Sequence, residues 1–145
     1  MKNKKLLKIL FWFWFILIIT IAFIPNLTSG GRDRSIQWGF EIRLDYIAHF
    51  LLYFIFAFLF ICWKVDKNWK VDTWLLLGFI FGGLILGIVD EFHQKIIPGR
   101  TFNPKDMMYN TLGLAVGVIL CYYVLIRKVL VSKWSSGERQ LANGE

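Results

Sequence analysis

Apolar residues along this chain gather into four long runs separated by short polar stretches. Leu6 to Ile24 carries one charge, Lys8; Tyr46 to Trp63 carries His49; Trp74 to Val89 is apolar apart from glycine; Met107 to Ile126 carries Asn110. An α-helix needs roughly 20 apolar residues to cross a bilayer core of about 30 Å, and each run is close to that length. The pattern predicts an all-α integral membrane protein, a four-helix transmembrane bundle. A single domain spans 1–145, with helices at about 6–24, 46–63, 74–97 and 104–126 and a polar tail over 127–145, disordered from Ser135 onward.

The connections carry their own patterns. Thr28 to Ser35 is a polar, glycine-containing stretch. From Ile36 to Leu44 apolar and polar residues alternate, a period of two that predicts a short extended or interfacial segment with one face on the membrane or the helices. Pro98 stops the third helix. Asn103 followed by Pro104 predicts a helix start, with Asn103 as N-cap and Asp106 in the first turn. Glycines four apart, Gly78 and Gly82, Gly83 and Gly87, and Gly113 and Gly117, predict close helix contacts, with packing of the third and fourth helices within the chain favoured over dimerisation.

Composition agrees with the membrane reading: 57% of residues are hydrophobic and 18% aromatic in a chain of 145, too little polar content to cover a soluble globule of that size. The first run follows Lys2, Lys4, Lys5 and Lys8 as a secretory signal would. It is longer than the 7 to 15 residues or so of a signal core and ends at Ile24-Pro25-Asn26, so it reads as an uncleaved helix. With the N-terminus inside, eleven of the 17 lysines and arginines fall on the inner side and six on the outer. Both termini are therefore expected in the cytoplasm. The net charge of +7 lies mostly beside inner helix ends, where topology and anionic lipid account for it, and no nucleic-acid partner is expected. Cys62 and Cys121 are expected to be free structural thiols.

Against this frame the stretch from Asp90 to Asn110 stands out. Asp90, Glu91, His93, Gln94, Arg100, Asp106 and Asn110 crowd the ends of two apolar segments, and ionisable groups at a bilayer edge are costly unless paired or hydrated. Asp45 and His49 sit one turn apart on one face at the start of the second helix, with Tyr53 a further turn along. By topology all of these reach the same, outer, membrane surface. His49, among Phe50, Leu51, Leu52 and Tyr53, needs a hydrogen-bond partner, which Asp45 or Glu91 could supply. Asp106 could be a capping carboxylate and nothing more, His93 a solvated loop residue, and Arg100 an interfacial charge. Its Pro-Gly turn and flanking acids favour a pairing role for Arg100.

The spacing Asp45-x3-His49-x3-Tyr53, then Asp90-Glu91-x2-Gln94 with Pro98-Gly99-Arg100, then Asp106-x3-Asn110-x2-Gly113-x3-Gly117, resembles the VanZ family of small bacterial membrane proteins. The resemblance covers most of the chain and implies a multipass protein of the bacterial cell membrane. It also implies a link, seen in some relatives, to low-level resistance to the glycopeptide teicoplanin.

Two functional classes follow. In the first, Asp45, His49, Glu91, Gln94, Arg100, Asp106 and Asn110 bind an anionic amphiphile such as a lipid-linked cell-wall precursor or a lipoglycopeptide. Arg100 would contact phosphate or carboxylate, and membrane lipids would be the other partners. In the second, the protein is a membrane-embedded enzyme with Glu91, His49 and Asp90 as candidate catalytic groups, working by acid–base chemistry or through a divalent metal. The chain lacks a His-Glu-x2-His helix, a cysteine pair or a Gly-x-Ser-x-Gly elbow, and no cofactor or metal is assigned on motif grounds. A proton or ion pathway ranks last, because the ionisable groups gather at one face.

Overall fold

A computed structural model describes residues 4–24, 35–37, 41–66, 69–96 and 102–142, with side chains for these except 35–37, 41–43, 94 and 129–142. In chain order the elements are α1 (Lys4–Phe23), β1 (Ser35–Gln37), β2 (Glu41–Arg43), α2 (Leu44–Lys64), α3 (Thr73–Gln94) and α4 (Pro104–Ala142). All four helices are long and apolar enough to cross a membrane. The predicted extended segment is two strands rather than one. β1 and β2 pair antiparallel with Ile36 opposite Ile42, and α2 begins at Leu44 directly after β2. The polar tail differs more: α4 continues to Ala142 instead of giving way to a disordered segment at Ser135. Between Ile126 and Ala142 no proline occurs, so nothing of that kind ends the helix where its apolar run ends.

Local chemistry explains the helix boundaries. The Asp72 side chain accepts a hydrogen bond from Leu75 N at 2.8 Å and so caps α3. At the end of α2, Lys4 reaches across from α1 and donates to Val65 O at 2.7 Å, satisfying one of the carbonyls a helix terminus leaves open. The link between α2 and α3 is held by Asp66, which accepts from Lys70 N at 2.7 Å and donates its own N–H to Lys70 O at 2.8 Å. It also contains Trp69 at φ 60°.

The most extensive contact is between α2 and α4, and the expected packing of α3 on α4 is present beside it. A Cβ on Gly113 would overlap the backbone carbonyl of Phe50, and one on Gly117 would lie 2.8 Å from Ala57 Cβ and 2.9 Å from Phe54 O. These two glycines therefore let α4 touch the α2 backbone. Gly78 and Gly82 face open space, and Gly83 and Gly87 receive Leu114 and Tyr53 from the neighbouring helices. Helix α1 packs through aromatic rings: Phe11 stacks on Phe56 at 5.0 Å and meets Phe60, Trp63 and Phe79. Trp14 Nε1 donates to Leu52 O at 2.9 Å, so the indole N–H is not left unpaired among apolar side chains.

Candidate functional site

Helices α2 and α4 run parallel and in register. His49 and Asn110 are joined across the interface at a separation of 61 residues, and one turn nearer the helix starts the same offset pairs Asp45 with Asp106. Both helices place residues four apart on one face, so two short polar columns meet at the same depth. His49 Nδ1 lies 3.0 Å from Asn110 Oδ1. Its Nε2 lies 3.9 Å from Asp45 Oδ1 and 3.8 Å from Asp106 Oδ2. Stacked Tyr46 and Tyr109 rings, 4.8 Å apart, lie beside these columns.

Helix α3 adds the third wall. Glu91 has no exposed surface, Asn110 is 1% exposed, Asp106 4% and Asp90 9%. Glu91 Oε1 accepts a hydrogen bond of 2.5 Å from the backbone N–H of Asn103. Asn103 holds the site together in three directions. Its Oδ1 caps α4 by accepting from Lys105 N at 3.1 Å, its Nδ2 donates to Asp106 Oδ1 at 3.0 Å, and its N–H is the one that reaches Glu91. The predicted N-cap is thus present, with a difference. In a capping box the first-turn acid would take the cap residue's N–H; here Glu91 takes it, and Asp106 accepts from the Asn103 side-chain amide instead. The sequence signal for Asn103 as a cap was visible, but its link to Glu91 depends on α3 returning beside the start of α4.

Of the predicted residues, Asp45, His49, Glu91, Asp106 and Asn110 come together, and Asp90 is buried beside Glu91. The hydrogen-bond partner of His49 is Asn110 Oδ1, at Nδ1, where the sequence suggests Asp45 or Glu91. His93 is not a loop residue: it belongs to the last turn of α3 and packs on Phe23 of α1 with ring centroids 4.1 Å apart. Arg100 and the Gln94 side chain lie outside the described residues. Cys62 and Cys121 are free, and both line an apolar cavity of about 480 Å³ at the far end of the bundle, with Lys4 and Lys128 on its wall.

Glu91 Oε2, Asn110 Nδ2, Tyr53 Oη and His93 Nδ1 are buried without a hydrogen-bond partner among the described residues. Tyr53 is 1% exposed. Two of these residues meet α3 at Gly87, where a Cβ would lie in ordinary contact, 3.4 Å from Asn110 Cβ and 3.6 Å from Tyr53 Oη. An unpaired buried polar group costs about 1–3 kcal/mol, so these atoms call for partners beyond the described residues.

Fold and site together define a membrane protein of four helices with a buried, acid-rich polar cluster at one end. The chain belongs to the VanZ/LLP1 family, whose sequence profile matches residues 6–127, all four membrane-spanning segments nearly entire. No curated protein and no solved structure matches it.

Proposed function

We propose that this protein is a membrane receptor for the polar head of an anionic envelope amphiphile, a lipid-linked cell-wall precursor or a lipoglycopeptide, and that it acts in teicoplanin-type tolerance. The observation that carries the reading is Glu91: a carboxylate with no exposed surface, held on one oxygen by Asn103 N and unpartnered on the other among the described residues. A group kept only for packing would be costly there. Asp45, His49, Glu91, Asp106 and Asn110 form the polar end of the site, and Gln94 and Arg100 complete it, with Arg100 as the contact to phosphate or carboxylate. The excess of lysine and arginine at the other ends of the helices favours a site on the outer face of the bacterial cell membrane, where cell-wall precursors are used.

The test is mass spectrometry of the lipids and precursors that purify with the protein. Wild type is expected to retain a phosphate- or carboxylate-bearing amphiphile that Arg100→Ala loses; equal retention by both removes Arg100 from the site, and no such species in either removes the reading. A second reading, a membrane-embedded enzyme on the same class of molecule, rests on His49 standing between two carboxylates with Glu91 and Asp90 nearby, a set suited to acid–base or metal-assisted hydrolysis. Turnover of the retained species on incubation distinguishes it from binding alone.

A further inference from the structure

At the end of the bundle opposite the polar cluster, α1, α2 and α4 line an apolar cavity of about 480 Å³, inside the range of about 300–1,000 Å³ in which proteins hold small ligands. Leu7, Phe58, Cys62, Leu120 and Cys121 contribute to its wall. Phe58 and Leu120 are 45% and 48% exposed, so the cavity opens sideways onto the surface that faces lipid. From Phe58 to Val65 and from Leu120 to Lys128 the lining runs roughly 10–12 Å along the helices. An apolar slot of that depth, open to the bilayer, fits part of an acyl chain.

The mouth of the cavity has a different character. Its charged lining residues are Lys4 and Lys128, and each is fixed at the rim by a contact that leaves hydrogen-bond donors over. Lys4 Nζ donates to Val65 O at 2.7 Å, which uses one of the three donors of an ammonium. Lys128 Nζ stands 4.4 Å from the centroid of the Trp69 ring, a contact with the ring face that supplies no lone pair. Among the described residues neither lysine is in an ion pair. Trp69 itself holds φ 60°, a backbone region that bulky side chains rarely adopt, and its indole lines the cavity. Lys4, Lys5, Lys8, Lys64, Lys70, Arg127 and Lys128 crowd this end of the bundle against two acids, Asp66 and Asp72, among the described side chains. Both acids accept from backbone N–H groups, those of Lys70 and Leu75.

We propose that this cavity is a site for an anionic phospholipid, with one acyl chain in the slot between α2 and α4 and the phosphate at the mouth on Lys4 and Lys128. Charge complementarity selects this occupant. Two ammonium groups with spare donors match a headgroup of net negative charge, and a zwitterionic headgroup would bring its own cation toward them. Tryptophan is at home at the level of lipid headgroups, and basic pockets between membrane helices favour anionic ones. The thiols of Cys62 and Cys121 line the slot, so they report on whether a chain is present. The site shares no residue with the polar cluster at the other end of the bundle and does not rest on the function proposed for that cluster.

The test uses the full chain purified in a neutral detergent, with dioleoylphosphatidylglycerol and dioleoylphosphatidylcholine as probes that share their chains and differ in headgroup charge. Native mass spectrometry counts bound lipid, and peptide mass spectrometry follows alkylation of Cys62 by N-ethylmaleimide. Wild type is expected to prefer the phosphatidylglycerol by roughly tenfold or more, and that lipid is expected to slow Cys62 alkylation several-fold where phosphatidylcholine at the same concentration does not. Lys4→Gln combined with Lys128→Gln keeps a donor for Val65 O and should bring the preference close to parity. Lys8→Gln combined with Lys70→Gln removes the same charge outside the cavity lining and should keep it. Protection of Cys62 in the wild type needs no variant. Equal retention of the two lipids, an unchanged preference in the Lys4 and Lys128 variant, equal loss in both double variants, or a Cys62 alkylation rate indifferent to phosphatidylglycerol would each overturn the proposal. So would a lipid-free dimer with Cys62 protected, which would put a second copy of the chain over the cavity.

Discussion

His49 is the residue on which the site turns, because its Nδ1 bonds Asn110 while its Nε2 faces Asp45 and Asp106. Removing it by His49→Ala strands Asn110 Oδ1, and Asn110→Ala strands Nδ1, so the double variant should lose little more than either single one. A coupling of about 0.5–3 kcal/mol is expected between them, measured as non-additivity of thermal midpoints in detergent; additive losses would mean the two residues act separately. Glu91 gives a sharper contrast. Glu91→Gln keeps an oxygen for Asn103 N–H and should insert and fold normally, whereas Glu91→Leu leaves that N–H buried and unpaired, at a cost of about 1–3 kcal/mol. Arg100 is tested by charge against shape. Arg100→Lys preserves the charge and loses the two parallel hydrogen bonds of a guanidinium, so retention of the amphiphile should fall at normal protein levels, read by mass spectrometry beside an immunoblot.

At the scale of elements, the parallel contact of α2 and α4 sets the geometry of the site. Gly113 lies one turn below Asn110, and any side chain there meets the Phe50 carbonyl. Gly113→Ala must part the two helices and is expected to destabilise by about 1–3 kcal/mol and to disturb the His49 contact. Gly82→Ala, with nothing within 4 Å of its Cβ, should be neutral or gain up to about 1 kcal/mol of helix propensity. Unfolding midpoints of the two variants in the same detergent decide the matter: equal effects would show that Gly113 is not at a tight contact. Glycine spacing alone does not separate these cases. It identifies faces that could approach a neighbour, and Gly78 and Gly82 have the same spacing as Gly113 and Gly117; which face meets a helix depends on how the bundle closes.

For the whole molecule, the orientation reading makes a direct prediction. A cysteine introduced at Ser29 or at Ile96, which is 80% exposed, should react with an impermeant reagent in intact cells, and one at Asn68 should not. The reverse pattern would move the polar cluster to the cytoplasmic side and end its assignment to cell-wall precursors.

Four helices, the cap at Asn103 and the end of the bundle that bears the acids were all legible in the order of residues. Each depends on spacing along one helix or on the cost of placing polar groups in lipid, and those are local properties. The continuation of α4 to Ala142 is not legible in the same way, because a polar sequence without proline neither demands nor forbids a helix. Tertiary structure alone decided that α2 packs on α4, that His49 bonds Asn110 in preference to an acid, that Glu91 reaches Asn103, and that His93 turns to Phe23 of α1. Those pairings join residues on different helices, and rotation of each helix about its axis fixes them. Sequence periodicity narrows that rotation to a face, but only the packing of ring, glycine and backbone across the interface selects the partner.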